Sequence, residues 1–217
     1  MATMRNFKYN GAIERMEITP EQTHYINGNQ GILKCHDLFR EIPDFMRKAD
    51  YVVVDPPWEK GNLKCFYTKA DKQLDNSFEE FIDRIFYLLK ELDVNSCYME
   101  MGKRELNHIE EKMKSVFPNV RIIESKYYNK YPCYFVIGEK DGCSIDLEDT
   151  IKDELKVIEE IISKKDGTVL DFCLGRGAVS RYAYKHNKNF IGTELNINRL
   201  AVSLEDLKKL GGQIESK

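Results

Sequence analysis

Residues 51–54 read Tyr-Val-Val-Val, and Asp55, Pro56 and Pro57 follow without a break. A short β-branched and aromatic run with no polar alternation suits a strand buried on both faces, as in a parallel sheet. Proline fixes φ and has no amide hydrogen, so the pair stops the strand abruptly. Parallel neighbours need long crossover connections, usually helices, and the chain supplies them. Residues 31–36, 96–101, 168–172 and 190–194 read as further strands, and 120–127 with 134–138 as a pair around a turn near 129–132. Apolar residues recur at helical spacing in 38–47, 103–117, about 149–163, 178–186 and 198–210. Ser77 and Glu80 have the spacing of a capping box, opening a helix to about residue 91. The alternation predicts an α/β fold around a mostly parallel sheet. Residues 59–76 read as a long polar loop, and 1–27, which lack periodicity, as an N-terminal extension to one domain spanning 28–217.

Composition narrows the partners. Lys and Arg total 33 against 36 Asp and Glu, a net charge of -3, so bulk charge does not advertise nucleic acid and any such contact must come from a local basic face or be shared with a partner. None of the six cysteines forms a C-x-x-C pair, and the four histidines are scattered, so no metal site is expected. Free thiols and the lack of a charged-then-apolar leader imply a cytoplasmic protein. No apolar stretch reaches the roughly 18 residues of a membrane span.

Two motifs carry chemistry. Asp55-Pro56-Pro57-Trp58 stands at the carboxyl end of a strand, where open α/β sheets place their ligands. A base amino group delocalises its lone pair into the ring and is a poor nucleophile. The Asp55 carboxylate and the Pro56 carbonyl are both acceptors and can take its two hydrogens, freeing the lone pair, while proline holds that carbonyl rigidly. Trp58 offers a face on which a base can stack. The bland alternative is a tight turn with an anchoring tryptophan.

The second motif runs Val169-Leu170-Asp171-Phe172-Cys173-Leu174-Gly175-Arg176-Gly177: a strand, a carboxylate, then two glycines opening a helix. Glycine lets a ligand approach the backbone, and a carboxylate about 20 residues on, here Glu194, suits ribose hydroxyls. The unit indicates a nucleoside cofactor without separating S-adenosylmethionine from a dinucleotide. Ser180 stands where a dinucleotide fingerprint has its third glycine, which favours the methyl donor.

Together the motifs resemble those of the DNA amino-methyltransferases, with D-P-P-Y/W as catalytic motif and D-x-F-x-G-x-G as cofactor motif. The catalytic motif, within 52–58, comes before the cofactor motif, 169–177, as in the circularly permuted β class. Leu33-Lys34-Cys35-His36-Asp37-Leu38, Ala49-Asp50-Tyr51 and Phe190-Ile191-Gly192-Thr193-Glu194-Leu195-Asn196 extend the similarity. It implies a Rossmann-like methyltransferase fold, circularly permuted, with a seven-stranded sheet and a reversed hairpin. It also implies S-adenosyl-L-methionine as cofactor and methylation of adenine N6 in DNA, with RNA, cytosine N4, a small molecule or a non-catalytic nucleic-acid-binding subunit as alternatives. The implied catalytic residues are Asp55, Pro56, Pro57 and Trp58. Those implied for the cofactor are Asp37, Asp55, Asp171, Phe172, Cys173, Gly175, Gly177, Glu194, Leu195 and Asn196. Trp58, Lys64, Phe66 and Tyr67 are expected to meet the substrate. The cofactor motif departs from the family pattern at Phe172, Cys173 and Arg176. The space between the motifs leaves no room for a separate target-recognition domain, so the expectation is a short or loose target, recognition by the 1–27 extension and the 59–76 loop, or help from a homodimer or a specificity partner.

Overall fold

A computed structural model describes residue 9, residues 11–148 and residues 153–217. Among the described residues one nine-stranded sheet organises the chain. The strands are β1 (Thr23–Ile26), β2 (Gly31–Cys35), β3 (Tyr51–Val54), β4 (Ser96–Met101), β5 (Asn119–Tyr127), β6 (Tyr131–Glu139), β7 (Thr168–Asp171), β8 (Asn189–Glu194) and β9 (Ile214–Ser216). The helices are α1 (Ala12–Met16), α2 (Lys60–Lys69), α3 (Phe78–Glu91), α4 (Leu106–Lys114), α5 (Glu154–Lys164), α6 (Ala178–Lys185) and α7 (Ile197–Lys209). Spatial order is β5-β6-β4-β3-β7-β8-β2-β1-β9. The strands from β4 through β2 are mutually parallel, and β6 lies antiparallel between β5 and β4.

The sheet therefore has nine strands among the described residues where seven were expected, and β5 and β6 form an antiparallel hairpin at one edge. β1 pairs antiparallel with β2 and β9 with β1. Residues 23–26, read as part of the N-terminal extension, thus form a strand of the sheet. Such short segments leave no periodicity to read.

The apolar run of β3 faces two cores at once. Val52 and Val54 pack in one buried cluster with Phe81, Ile85 and Leu89 of α3; Tyr51 and Val53 pack in the other with Val157 and Ile161 of α5 and Leu204 of α7. This is the period-2 alternation of a strand, hidden because both faces are apolar. The capping box forms as expected: Ser77 Oγ accepts from the Glu80 amide at 3.1 Å, and Glu80 Oε2 from the Ser77 amide at 2.7 Å.

Three readings are corrected. Residues 38–47 make a turn and then a 3-10 segment, Asp44–Lys48, because Pro43 is extended (φ -63°, ψ 138°) and disfavours helix at the residue before it. Residues 59–76 are not a loop throughout: α2 occupies Lys60–Lys69 and buries Leu63 and Tyr67. Its opening residue, Glu59, makes no side-chain cap, so the usual start signal is missing. The helix expected from 103 opens as a 3-10 turn, Lys103–Glu105, before α4. The start of the helix expected over 149–163 lies outside the described residues, and the rest is α5.

β1 also carries a buried histidine. His24 has no exposed surface; Nδ1 lies 2.8 Å from Ser216 Oγ, and Nε2 has no partner. Burial, helped by Lys34, lowers its pKa from 6.5 to about 4. Between those values the unfolded chain binds a proton that the folded chain excludes, so the His24 contribution to stability is present above pH 6.5 and is lost as pH falls toward 4. Urea melts at pH 7 and pH 4.5 should show a loss from this group of about 2 kcal/mol, absent in His24→Gln.

Candidate active site

The chain leaves the sheet in opposite directions from β3 and β7, which are neighbours. Such a switch point opens a crevice at the carboxyl ends of the strands. Here it is a cavity of about 510 Å³. The strand ends bring Asp55, Glu100, Asp171 and Glu194 to its wall, with Asp37 just beyond β2. The two motifs, more than a hundred residues apart, thus meet at one site.

The glycine turn serves two purposes. Gly175, at φ +57°, turns its amide onto Glu194 Oε2 at 2.7 Å. Glu194 Oε1 accepts from the Asn196 amide at 2.8 Å. Asp171 Oδ1 accepts from the Cys173 amide at 2.9 Å. These bonds fix both carboxylates while leaving each oxygen spare acceptor capacity. Gly177, at φ +78°, is needed for packing: a Cβ there would lie 2.1 Å from Ser203 Oγ on α7 and 2.6 Å from Ser180 Oγ.

Asp55 opens into the cavity and is accessible to solvent, yet the surrounding protein strips much of its water. That desolvation raises its pKa to about 6, while the Trp58 indole and Arg199 pull the other way. Burial likewise raises Asp171 well above the usual carboxylate range, with Asp55 and Glu194 adding repulsion. Glu194 is raised by burial against the pull of Arg199 and its backbone donors. The cavity is a crowd of reluctant anions, suited to a ligand that brings positive charge.

Of the residues expected from sequence, Asp37, Asp55, Pro57, Phe66, Tyr67, Asp171, Phe172, Cys173, Gly175, Glu194 and Leu195 line this cavity. Pro56 is buried and is not among the residues lining the cavity. Trp58 Nε1 donates to Asp55 Oδ1 at 2.8 Å. Its ring meets Tyr127 edge-on (5.1 Å between centroids, 65°) and lies where a Gly102 side chain would stand. Lys64 is exposed on α2. Asn196 caps α7, accepting from the Asn198 amide at 3.0 Å, and ties it to α2 by donating to Lys69 O at 2.9 Å. α2 is further fastened by Tyr67, whose hydroxyl donates to Asp37 Oδ1 at 3.3 Å, and by Phe66, with the Arg199 guanidinium 4.5 Å from its ring centre.

Sequence reasoning missed Glu100, Tyr127, Tyr128, Glu154 and Arg199, all on the cavity wall. Glu100 had a signal, as the lone charge in the Ser96–Met101 strand. Arg199 had a weaker one, its place just after the Glu194-Leu195-Asn196 stretch. Tyr128 is held by its amide donating to Glu154 Oε2 at 3.0 Å. Among the described residues no group of His, Cys, Asp or Glu could hold a metal ion, and no helix is long and apolar enough to cross a membrane.

No protein-family model matches the chain, and no curated protein matches it in sequence. Solved structures do match. The crystal structure of M1.HpyAVI is 18% identical, with a TM-score of 0.60 over 81% of this chain and 98% of that one. TTHA0409 of Thermus thermophilus, provisionally described as a DNA modification methylase, is 16% identical, with a TM-score of 0.60 over 82% and 94%. Both proteins have also been solved with S-adenosylmethionine. PvuII DNA methyltransferase, cytosine-N4-specific, is 12% identical, with a TM-score of 0.53 over 81% and 85%. At these identities the likeness speaks to architecture, and the α/β fold of this chain is the one these methyltransferase structures share.

Proposed function

We propose that this chain transfers a methyl group from S-adenosyl-L-methionine to an exocyclic amine of a nucleic-acid base, with adenine N6 in DNA as the acceptor. The observation that carries the reading is the meeting of Asp55 with Asp171 and Glu194 in one cavity at the switch point of the sheet. The fold shared with DNA methyltransferases and the acidic wall, which complements a cationic sulfonium, both support it.

The residues present fit the cofactor. Asp171, Phe172, Gly175 and Glu194 would hold it, with Asp37 and Leu195 toward its nucleoside end, and its sulfonium supplies an electrophilic methyl when bound. Asp55 and the Pro56 carbonyl accept the two amine hydrogens and orient the nitrogen lone pair toward that methyl. Trp58 keeps the Asp55 carboxylate aimed through its indole N–H, and with Tyr127 forms the aromatic wall beside the base. The nitrogen would gain a bond to the methyl carbon as that carbon's bond to the donor sulfur breaks, leaving a neutral thioether, and would shed one proton with Asp55 as the acceptor. A base inside a duplex cannot reach this crevice, so a flipped or single-stranded nucleotide is the substrate. The order of the motifs is that of a circular permutation, residues 28–217, with β1 joined to their sheet, act as the methyltransferase domain, and target choice is shared with a second copy or a specificity partner.

Cytosine N4 is the second reading, favoured by the likeness to the PvuII enzyme. Nucleoside mass spectrometry decides between them. The purified chain is incubated with S-adenosylmethionine and either DNA or RNA, and the products are digested. N6-methyladenine in DNA is the expected result. N4-methylcytosine, or methylation confined to RNA, moves the acceptor. No methylated nucleoside, together with no heat of binding to S-adenosylmethionine, overturns the enzymatic reading.

A further inference from the structure

Glu100 is a buried acid to which methyl transfer, as described above, gives no task. β4 reads Ser-Cys-Tyr-Met-Glu-Met and is buried along its whole length. Glu100 is 2% exposed, and its Oε1 has no hydrogen-bond partner although its side chain lines the cavity. The parallel register pairs Val54 with Met99, so the next step along both strands sets Asp55 beside Glu100, about 4.8 Å apart at the spacing of neighbouring strands. Alternation puts them on one face: Val53 and Tyr98, two residues before each, share a core cluster.

Arg199 acts on Asp55, but no cation is among the groups that act on Glu100. The titratable groups that face Glu100 are Asp55 at the end of β3, Glu154 on α5, Cys133 on β6 and Tyr127 on β5. Burial first, then Asp55 and Glu154, push its carboxyl up to about 9. Two adjacent acids therefore differ in kind at neutral pH: Asp55 is ionised and can only accept, whereas Glu100 keeps a hydrogen it can donate.

That difference matches what a bound base would still lack, provided the amine-methylation reading holds, on which this inference rests. An adenine whose two amine hydrogens are taken by Asp55 and Pro56 presents ring N1 beside the amine, a bare acceptor in need of a donor. We propose that Glu100 reads the base: its carboxyl hydroxyl donates a hydrogen bond to the ring nitrogen next to the amine being methylated. It recognises the substrate edge, while Asp55 handles the reacting nitrogen.

The test uses an oligonucleotide in which 1-deazaadenine, with C–H in place of N1, replaces the target adenine. The ratio of kcat/KM for adenine over 1-deazaadenine is expected to be about tenfold larger in the unmodified chain than in Glu100→Leu, since only the former has a donor to lose. Dividing the two ratios removes the intrinsic reactivity of the deaza base. Glu100→Gln keeps an N–H donor and should retain the preference. It should also stay active as pH rises through about 9, where the unmodified chain loses the Glu100 hydrogen and declines. An equal ratio in the unmodified chain and Glu100→Leu overturns the assignment and leaves amine methylation standing. Absence of transfer to any base, from the unmodified chain as well, overturns both.

Discussion

Asp55→Ala is expected to lower methyl transfer by about a thousandfold or more, the scale of removing a group that acts on the reacting centre, while S-adenosylmethionine binding survives. The asymmetry follows from the cavity. The carboxylates proposed to hold the cofactor, Asp171 and Glu194, are fixed by backbone amides of Cys173, Gly175 and Asn196, and none of these bonds involves Asp55. Removing the Asp55 charge also relieves repulsion on Asp171 and Glu100, so the variant should unfold at the same temperature as the parent or a higher one, the usual trade of a strained site. Single-turnover transfer assays, calorimetry with the cofactor and thermal melts check the three parts. In the unmodified chain the same carboxyl should give the rate an acid limb. Its raised pKa, about 6, means that it protonates and loses acceptor capacity as pH falls through that value.

Gly177→Ala is expected to destabilise the fold by about 3 kcal/mol, the sum of two costs. A left-handed conformation costs a residue with a Cβ roughly 1–2 kcal/mol, and forcing a methyl into a filled space adds about 1–3 kcal/mol. Both apply: φ is +78°, and the methyl would meet Ser203 Oγ at 2.1 Å and Ser180 Oγ at 2.6 Å, which lie 3.2 Å apart. Ser203→Gly in the same chain should restore the Ser203 part of the packing share and leave the Ser180 contact and the backbone share, so denaturant melts of the two single variants and the double variant separate the Ser203 part from the rest. A loss below about 0.5 kcal/mol would show that the turn relaxes freely and that the second glycine is there for the ligand.

The strands at the centre of the sheet were legible because burial on both faces leaves an apolar run, as in Tyr51–Val54, and a sharp stop at two prolines. The helix after Ser77 was legible because its cap is written in two residues. α2 was not, because its apolar positions, Leu63, Phe66 and Tyr67, are helically spaced but interleaved with lysines and Gly61 and preceded by no capping side chain. β1 and β9 have four and three residues, and only pairing, of β1 with β2 and of β9 with β1, gives them a reason to be extended. At the site, chemistry read more easily than placement. Asp55, Asp171 and Glu194 were identified by type and spacing, but the neighbour of Asp55 is decided by sheet register, which brings in Glu100 from a strand far along the chain. The direction of the Trp58 ring depends on Tyr127, from the far hairpin. Contacts of that range leave no local pattern.

The crowding of carboxylates has a consequence for how this cavity exchanges matter with its surroundings. Several acids with raised pKa values share one wall, so before a ligand arrives part of the wall is protonated near neutral pH. A cation entering it stabilises the ionised forms and displaces protons into the medium. Occupancy is then a reaction in which hydrogen ions are a product: mildly alkaline conditions favour it, acid opposes it, and the heat it releases includes that of the buffer taking up those protons.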